Sequence, residues 1–182
     1  FGGSRGARSI NQALTGALPE LLPHCQIVHI SGTLDWPAVE ARAHSLPREL
    51  RPRYHAYAYL HDEMPLALAA ADLVVARAGA STLGEFPALG LPSILAPLPH
   101  SGQHQEVNAD ALARHGAAIK LPDSQLAAQL TPTVLHLLQN RTELAAMSQA
   151  AQALAQPAAA ATIAQELRRL AQHQDFGSGR TS

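Results

Sequence analysis

The run Leu73-Val74-Val75-Ala76-Arg77-Ala78-Gly79-Ala80-Ser81-Thr82-Leu83-Gly84-Glu85 passes from an apolar, β-branched segment through a turn of small residues into a helix. That order is a strand–loop–helix unit, with Ser81 and Thr82 opening the helix. Its turn presents bare backbone N–H groups and hydroxyls at a helix N-terminus, where partial positive charge favours an anion such as phosphate. Glu85 follows within the first helical turn, placed to accept hydrogen bonds from hydroxyls of whatever carries that phosphate. The combination suggests a nucleotide-sugar site. An ordinary strand–helix turn with a capped helix gives much the same pattern.

A second loop adds weight. The chain opens Phe1-Gly2-Gly3-Ser4-Arg5-Gly6-Ala7-Arg8, followed by Ile10, Leu14, Leu18 and Leu21 at roughly helical spacing. Paired glycines permit a tight turn and close ligand approach, and Ser4 adds a hydroxyl beside the next helix N-terminus. No Gly-Lys-Ser/Thr follows, so this is not a Walker loop. The dinucleotide fingerprint is also missing, for want of a third glycine at fixed spacing and an acidic residue after the second strand. A glycine loop of this kind should follow a strand, yet only Phe1 precedes it, with neither an initiator Met nor a signal-peptide pattern. The expectation is the C-terminal part of a longer protein, its first strand truncated before Gly2.

Length and composition suit one globular domain. A chain of 182 residues buries a substantial core. Apolar residues make up 47% and aromatics only 4%, and the abundant alanine favours close-packed helices. The formal net charge is -1, and of 13 basic residues only Lys120 is a lysine. Without a basic stripe interleaved with aromatics, nucleic acid is not an expected partner. Uncharged runs are broken by Pro, Gly or polar residues well short of a membrane span. Cys25 stands alone, which rules out an internal disulfide and is consistent with a reducing compartment.

Strands and helices alternate along the chain. Helix 9–22 leads to strand 25–31, helix 36–46, strand 54–59, helix 64–71 and strand 72–76. Helix 82–89 stops at Gly90, where a helix C-cap is expected, and a short strand follows at 92–97. Helix 104–115 ends at Gly116, before strand 117–121 and helices 123–139, 141–154 and 158–172. Repeated strand–helix units with continuously apolar strands give an α/β fold: a doubly wound, Rossmann-like parallel sheet with helices on both faces. We expect six strands counting the truncated first, one domain over residues 1–172, and a disordered polar tail over 173–182. Ligands of such sheets bind beyond the C-terminal strand ends, so the loops Gly2–Gly6, Leu60–Glu63, Ala78–Thr82 and Pro99–Gln105 should converge there.

Other groups read more plainly. His100 and His104 have a metal-ligand spacing only on a helix, which Pro99 and Gly102 oppose, so no metal is expected. Asp62 and Glu63 read as acids favouring a helix N-terminus. Arg77 suits either a phosphate clamp or a tie from the strand end to a carboxylate, the second being favoured. The helices after residue 123 carry no motif and read as packing.

Taken together, four segments resemble a known family. Gly2-Gly3-Ser4-Arg5-Gly6-Ala7-Arg8 with Asn11, His61-Asp62-Glu63-Met64, Arg77-Ala78-Gly79-Ala80-Ser81-Thr82 with Glu85, and His104-Gln105 with Asn108-Ala109 are similar to the C-terminal domain of the MurG family. These are two-domain glycosyltransferases of the GT-B type, in glycosyltransferase family 28. The resemblance runs over nearly the whole chain, to about residue 172.

It implies the donor-binding half of an enzyme that passes N-acetylglucosamine from UDP-N-acetylglucosamine to a lipid-linked muramyl-pentapeptide in peptidoglycan synthesis. Ser4 resembles the serine that hydrogen-bonds the donor pyrophosphate, and Arg5 stands nearby where glutamine is common. His61 matches the position whose backbone contacts the uracil, where an apolar residue is more usual. Ala80, Ser81 and Thr82 resemble the phosphate-binding turn, and Glu85 the acid that binds the ribose hydroxyls. His104 and Gln105 resemble the pair that reads the sugar hydroxyls. The resemblance implies no cofactor, and it places the catalytic base, the acceptor and the membrane contacts in an N-terminal domain outside this chain. The enzyme would sit peripherally on the cytoplasmic face of the bacterial cell membrane. The isolated chain would bind donor without turning over. Two other readings stay open: another GT-B enzyme using a UDP-sugar (a lipid or natural-product glycosyltransferase, or an epimerase), and a non-catalytic nucleotide-binding module.

Overall fold

In the computed structural model the described residues are 1–2, 7–99 and 104–174, with side chains described through residue 171. Gly3, Ser4, Arg5 and Gly6, His100 to Gln103, and 175–182 fall outside them. Helices and strands alternate as α1 (Arg8–Leu21), β1 (Ile27–Ile30), α2 (Trp36–Ser45), β2 (Tyr54–Tyr57), α3 (Met64–Ala69), β3 (Val74–Ala76), α4 (Thr82–Leu89), β4 (Ser93–Leu95), α5 (His104–Arg114) and β5 (Ala118–Lys120). Three helices complete the chain: α6 (Leu126–Gln139), α7 (Arg141–Ala153) and α8 (Ala159–Gln174). The last runs two residues into the segment expected as tail.

Every strand pair is parallel. Ile27 lies opposite Tyr54 in the β1–β2 pair, while β4 sits between β3 and β5 with Ser93 opposite both Val74 and Ala118. The described strands number five, the five expected within the chain, and they pair in sheets of two and three. Val74 N–H and Ala76 C=O bond toward β4, so Val75 points its polar groups the other way. There its carbonyl accepts the Phe1 ammonium at 2.7 Å. Among the described residues no strand pairs with that edge, and the two sheets are not joined by strand pairing.

Successive residues of β4 are buried on opposite faces. Ile94 packs with Ile10, Leu21, Leu130 and Leu137 from α1 and α6, whereas Leu95 packs with Phe86, Leu112 and Ala151 from α4, α5 and α7. A strand buried on both sides is what a doubly wound sheet requires, and it suits the apolar residues Ile94, Leu95 and Ala96 that follow buried Ser93. A third cluster joins α1 and α2 to β2 through Leu18, Val39, Leu46 and Tyr54. Beside it runs a buried polar chain. Asn11 donates through Nδ2 to the Ser31 carbonyl at 2.8 Å and to Asp35 at 2.9 Å, and its Oδ1 lies 2.9 Å from His29 Nε2.

Helix α4 stops where Gly90 takes a left-handed turn with φ of 59°. Helix α8 leaves Ile163, Leu167 and Leu170 exposed along one stripe. Among the described residues no helix is long and apolar enough to cross a membrane.

Candidate functional site

The turn after β3 is built from small residues, and its geometry follows from what they can and cannot bond. Thr82 is buried, and its hydroxyl donates to the Gly79 carbonyl at 2.6 Å, closing the turn on itself. The amides of Thr82, Leu83 and Gly84 bond back to Gly79, Ala80 and Ser81 in tight turns. No side chain caps α4. The amides of Gly79, Ala80 and Ser81 have no hydrogen-bond partner among the described residues. They are the donors open to an anion, so the bare N–H groups lie just ahead of the helix rather than within its first turn. Of the two hydroxyls expected to serve a phosphate, Thr82's is committed to the turn as donor and Ser81's is exposed.

Glu85 sits one turn further along α4. Its side chain is exposed and makes no hydrogen bond or ion pair among the described residues, which leaves both carboxylate oxygens open to hydroxyl donors. The acid and the open amides therefore share one helix end.

Two other loops leave strand ends, the one after β4 beside this turn through the β3–β4 pairing. After β2, His61 is exposed, with its ring 4.7 Å from the Tyr59 ring. Its N–H donates to Glu63 Oε2 at 3.3 Å and its carbonyl accepts from Met64 N–H at 3.2 Å. The backbone expected to meet the uracil is thus engaged within its own turn. Glu63 is the residue before α3 rather than in its first turn, and it closes the loop through that bond. After β4, Leu98 N–H donates to Gln105 Oε1 at 2.9 Å. With its oxygen held, Gln105 offers its Nε2 as a donor to a sugar oxygen. His104, the first residue of α5, is exposed. Ser4, the loop Gly2–Gly6 beyond its first residue, and His100 lie outside the described residues.

Arg77 is not a phosphate clamp in this arrangement. It is buried, and its guanidinium donates to the carbonyls of Ala96 at 3.0 Å and Pro97 at 3.3 Å, to the Ser9 hydroxyl at 2.6 Å, and to Asp123. Ser9 also donates to Asp123 at 2.6 Å. One side chain thereby joins the ends of β3 and β4, the first turn of α1, and the turn ahead of α6. The favoured sequence reading, a tie to a carboxylate, holds. Asp123 carried no signal, because nothing local to it marks a partner so distant in the chain. Asn108 stood in the sequence pattern without a stated role; its Nδ2 donates to the Ala78 carbonyl at 3.0 Å.

Residues 1–167 match the family model described as glycosyltransferase family 28 C-terminal domain. Among similar proteins is the UDP-N-acetylglucosamine--N-acetylmuramyl-(pentapeptide) pyrophosphoryl-undecaprenol N-acetylglucosamine transferase of Roseiflexus sp. (strain RS-1), 45% identical over 90% of this chain and 41% of its own. The protein of the same name from Chlorobium phaeobacteroides is 42% identical over 94% of this chain and 46% of its own. The chain thus spans less than half the length of these curated relatives. The crystal structure of Acinetobacter baumannii MurG superposes with a TM-score of 0.78 at 30% identity, covering 93% of this chain and 48% of that one. A glycosyltransferase of kitacinnamycin shares the fold, with a TM-score of 0.56 at 19% identity, over 87% of this chain and 38% of its own.

Proposed function

Because the chain belongs to the glycosyltransferase family 28 C-terminal domain family, we propose that it is the donor-binding part of a transferase moving N-acetylglucosamine from UDP-N-acetylglucosamine to a lipid-linked muramyl-pentapeptide. The observation that carries this reading is the turn Gly79–Ser81, whose amides and the nearby Glu85 carboxylate have no hydrogen-bond partner among the described residues. Names of relatives at 42–45% identity supply the sugar and acceptor.

The chemistry suits the arrangement. Negative charge builds on the departing diphosphate as the sugar takes on oxocarbenium character. Fixed amides at a helix N-terminus stabilise that charge without a lysine cluster. Ser4, Ala80 and Ser81 hold the pyrophosphate with Thr82 closing the turn behind them, Glu85 the ribose hydroxyls, His61 the uracil side, and His104 and Gln105 the sugar. The base that deprotonates the acceptor hydroxyl, the acceptor itself and the membrane surface belong to an N-terminal domain. The apolar stripe of α8 packs against that domain, and the whole enzyme works peripherally at the cytoplasmic face of the cell membrane.

Titration calorimetry on the chain tests the donor reading. UDP-N-acetylglucosamine should bind more tightly than UMP or an ADP-sugar. Equal affinity for UDP- and ADP-sugars removes the uracil assignment, and tight UDP binding with no preference among sugars points to another UDP-sugar enzyme.

A further inference from the structure

We infer that Asn108 is a positioning residue for the phosphate-binding turn, a role that rests on the donor reading above. Ala78 is fully buried, and its carbonyl receives no backbone N–H among the described residues. The Asn108 amide supplies that bond across 30 residues of chain, at 3.0 Å. The peptide plane it grips is the one whose other end is the Gly79 N–H. In a trans peptide the carbonyl and the N–H point in opposite directions, so holding one aims the other. Gly79 has no Cβ, and an ideal Cβ built there meets nothing within 4 Å. Without the Asn108 bond, little in the turn itself keeps that plane from rotating.

Gln105 stands three residues earlier on α5 and accepts the Leu98 N–H at 2.9 Å. Residues three apart share a helix face. One face of α5 therefore fastens both the turn after β3 and the loop after β4, so the phosphate-binding amides and the sugar-reading residues are held to the same helix. Asn108 thereby acts on the pyrophosphate through Gly79 rather than by touching the sugar.

The test uses the wild-type chain with Asn108→Asp, which keeps the shape but loses the donor, and Asn108→Ala. Amide hydrogen exchange without ligand should quicken about tenfold or more at Thr82–Gly84, whose amides close the turn on Gly79, Ala80 and Ser81, in both variants. Exchange in α6 and β1 should stay at wild-type rates, which shows that the variants are folded. Affinity for UDP and for UDP-N-acetylglucosamine should fall by the same factor, since UDP already carries the phosphates. Unchanged exchange at Thr82–Gly84 overturns the proposal. So does a loss confined to UDP-N-acetylglucosamine, which makes Asn108 a sugar contact. If wild type binds neither nucleotide, the donor reading fails, while the exchange rates still decide whether Asn108 holds the turn.

Discussion

The Arg77 guanidinium and the Asp123 carboxylate form an ion pair across 46 residues of sequence, with the arginine side chain 9% exposed and the aspartate 21%. Breaking a buried pair leaves one charge without compensation, which costs more than the pair contributes against an apolar replacement. Arg77→Met strands Asp123 and two buried carbonyls together. Urea unfolding should show a loss of about 3 kcal/mol, reduced somewhat by the water that reaches Asp123. Arg77→Lys keeps a charge but not the fork, and should recover only part of that loss. Wild-type stability with lost UDP affinity would return Arg77 to the phosphate.

His29 gives the fold a pH dependence. The Asn11 Nδ2 is spent as a donor to Ser31 and Asp35, so its Oδ1 accepts from His29 Nε2–H at 2.9 Å. The Tyr54 hydroxyl then donates to Nδ1 at 2.7 Å. Burial pushes the Tyr54 phenol up to about 12, so it remains protonated throughout. Burial first, then the N-terminal ammonium, push the imidazole from 6.5 down to about 3, against the pull of Asp35. In that window the unfolded chain binds a proton that the folded chain refuses. Stability is therefore fully present above pH 6.5 and falls as the pH drops toward 3, by up to ~1.4 kcal/mol per pH unit. Between pH 7.5 and 5 this site should cost about 2 kcal/mol. The slope should flatten in His29→Gln, and identical slopes in the two proteins would remove the assignment.

Gly90 carries a different constraint. Its φ of 59° is left-handed, and an added Cβ would stand 2.5 Å from Gln152 Cγ on α7. Gly90→Ala should lose about 1–2 kcal/mol from backbone conformation, together with whatever the Gln152 shift costs. The double variant Gly90→Ala with Gln152→Ala separates the two, because only the clash is relieved. Full recovery in the double variant would mean that the backbone term is negligible.

What could be read from the sequence was what local chemistry decides. Gly90 was legible as a helix stop because few other residues accept its conformation, and strands β1 to β5 lay inside the segments expected as strands. Helix ends at Leu89 and Gln139 fell where they were expected. Tertiary partners were not legible. Asp123 meets Arg77, and Asn108 meets Ala78, only after the chain has folded back. The division of the sheet escaped as well, since strand count follows from periodicity but the joining of neighbours does not. Within the candidate site, Glu85 lies one turn beyond Ser81 on α4, while the Thr82 hydroxyl donates into its own loop, which the sequence could not tell from a hydroxyl turned outward.

Catalysis should need more than this chain. With the acceptor base proposed to lie in another domain, the purified 182 residues should bind UDP-N-acetylglucosamine yet transfer no N-acetylglucosamine to a lipid-linked muramyl acceptor and release no UDP. Product formed by the chain alone would place a base among its own residues and overturn that division of labour.

Glu85 separates function from architecture most cleanly, because its carboxylate touches nothing else among the described residues. A carboxylate accepting two ribose hydroxyls makes charge-assisted hydrogen bonds, whose loss should cost about 1.5–3 kcal/mol of donor affinity. Glu85→Gln keeps the size and some bonding, whereas Glu85→Ala removes both. Donor affinity should therefore fall in the order wild type, Gln, Ala, while melting without ligand stays nearly constant. If Glu85 served only the helix dipole, each variant would lose roughly 0.3–1 kcal/mol of stability and keep its affinity. The two roles move different observables in the same three proteins. Calorimetry with UDP-N-acetylglucosamine and melting without ligand thus decide between them, and unchanged affinity with lowered melting would end the ribose assignment.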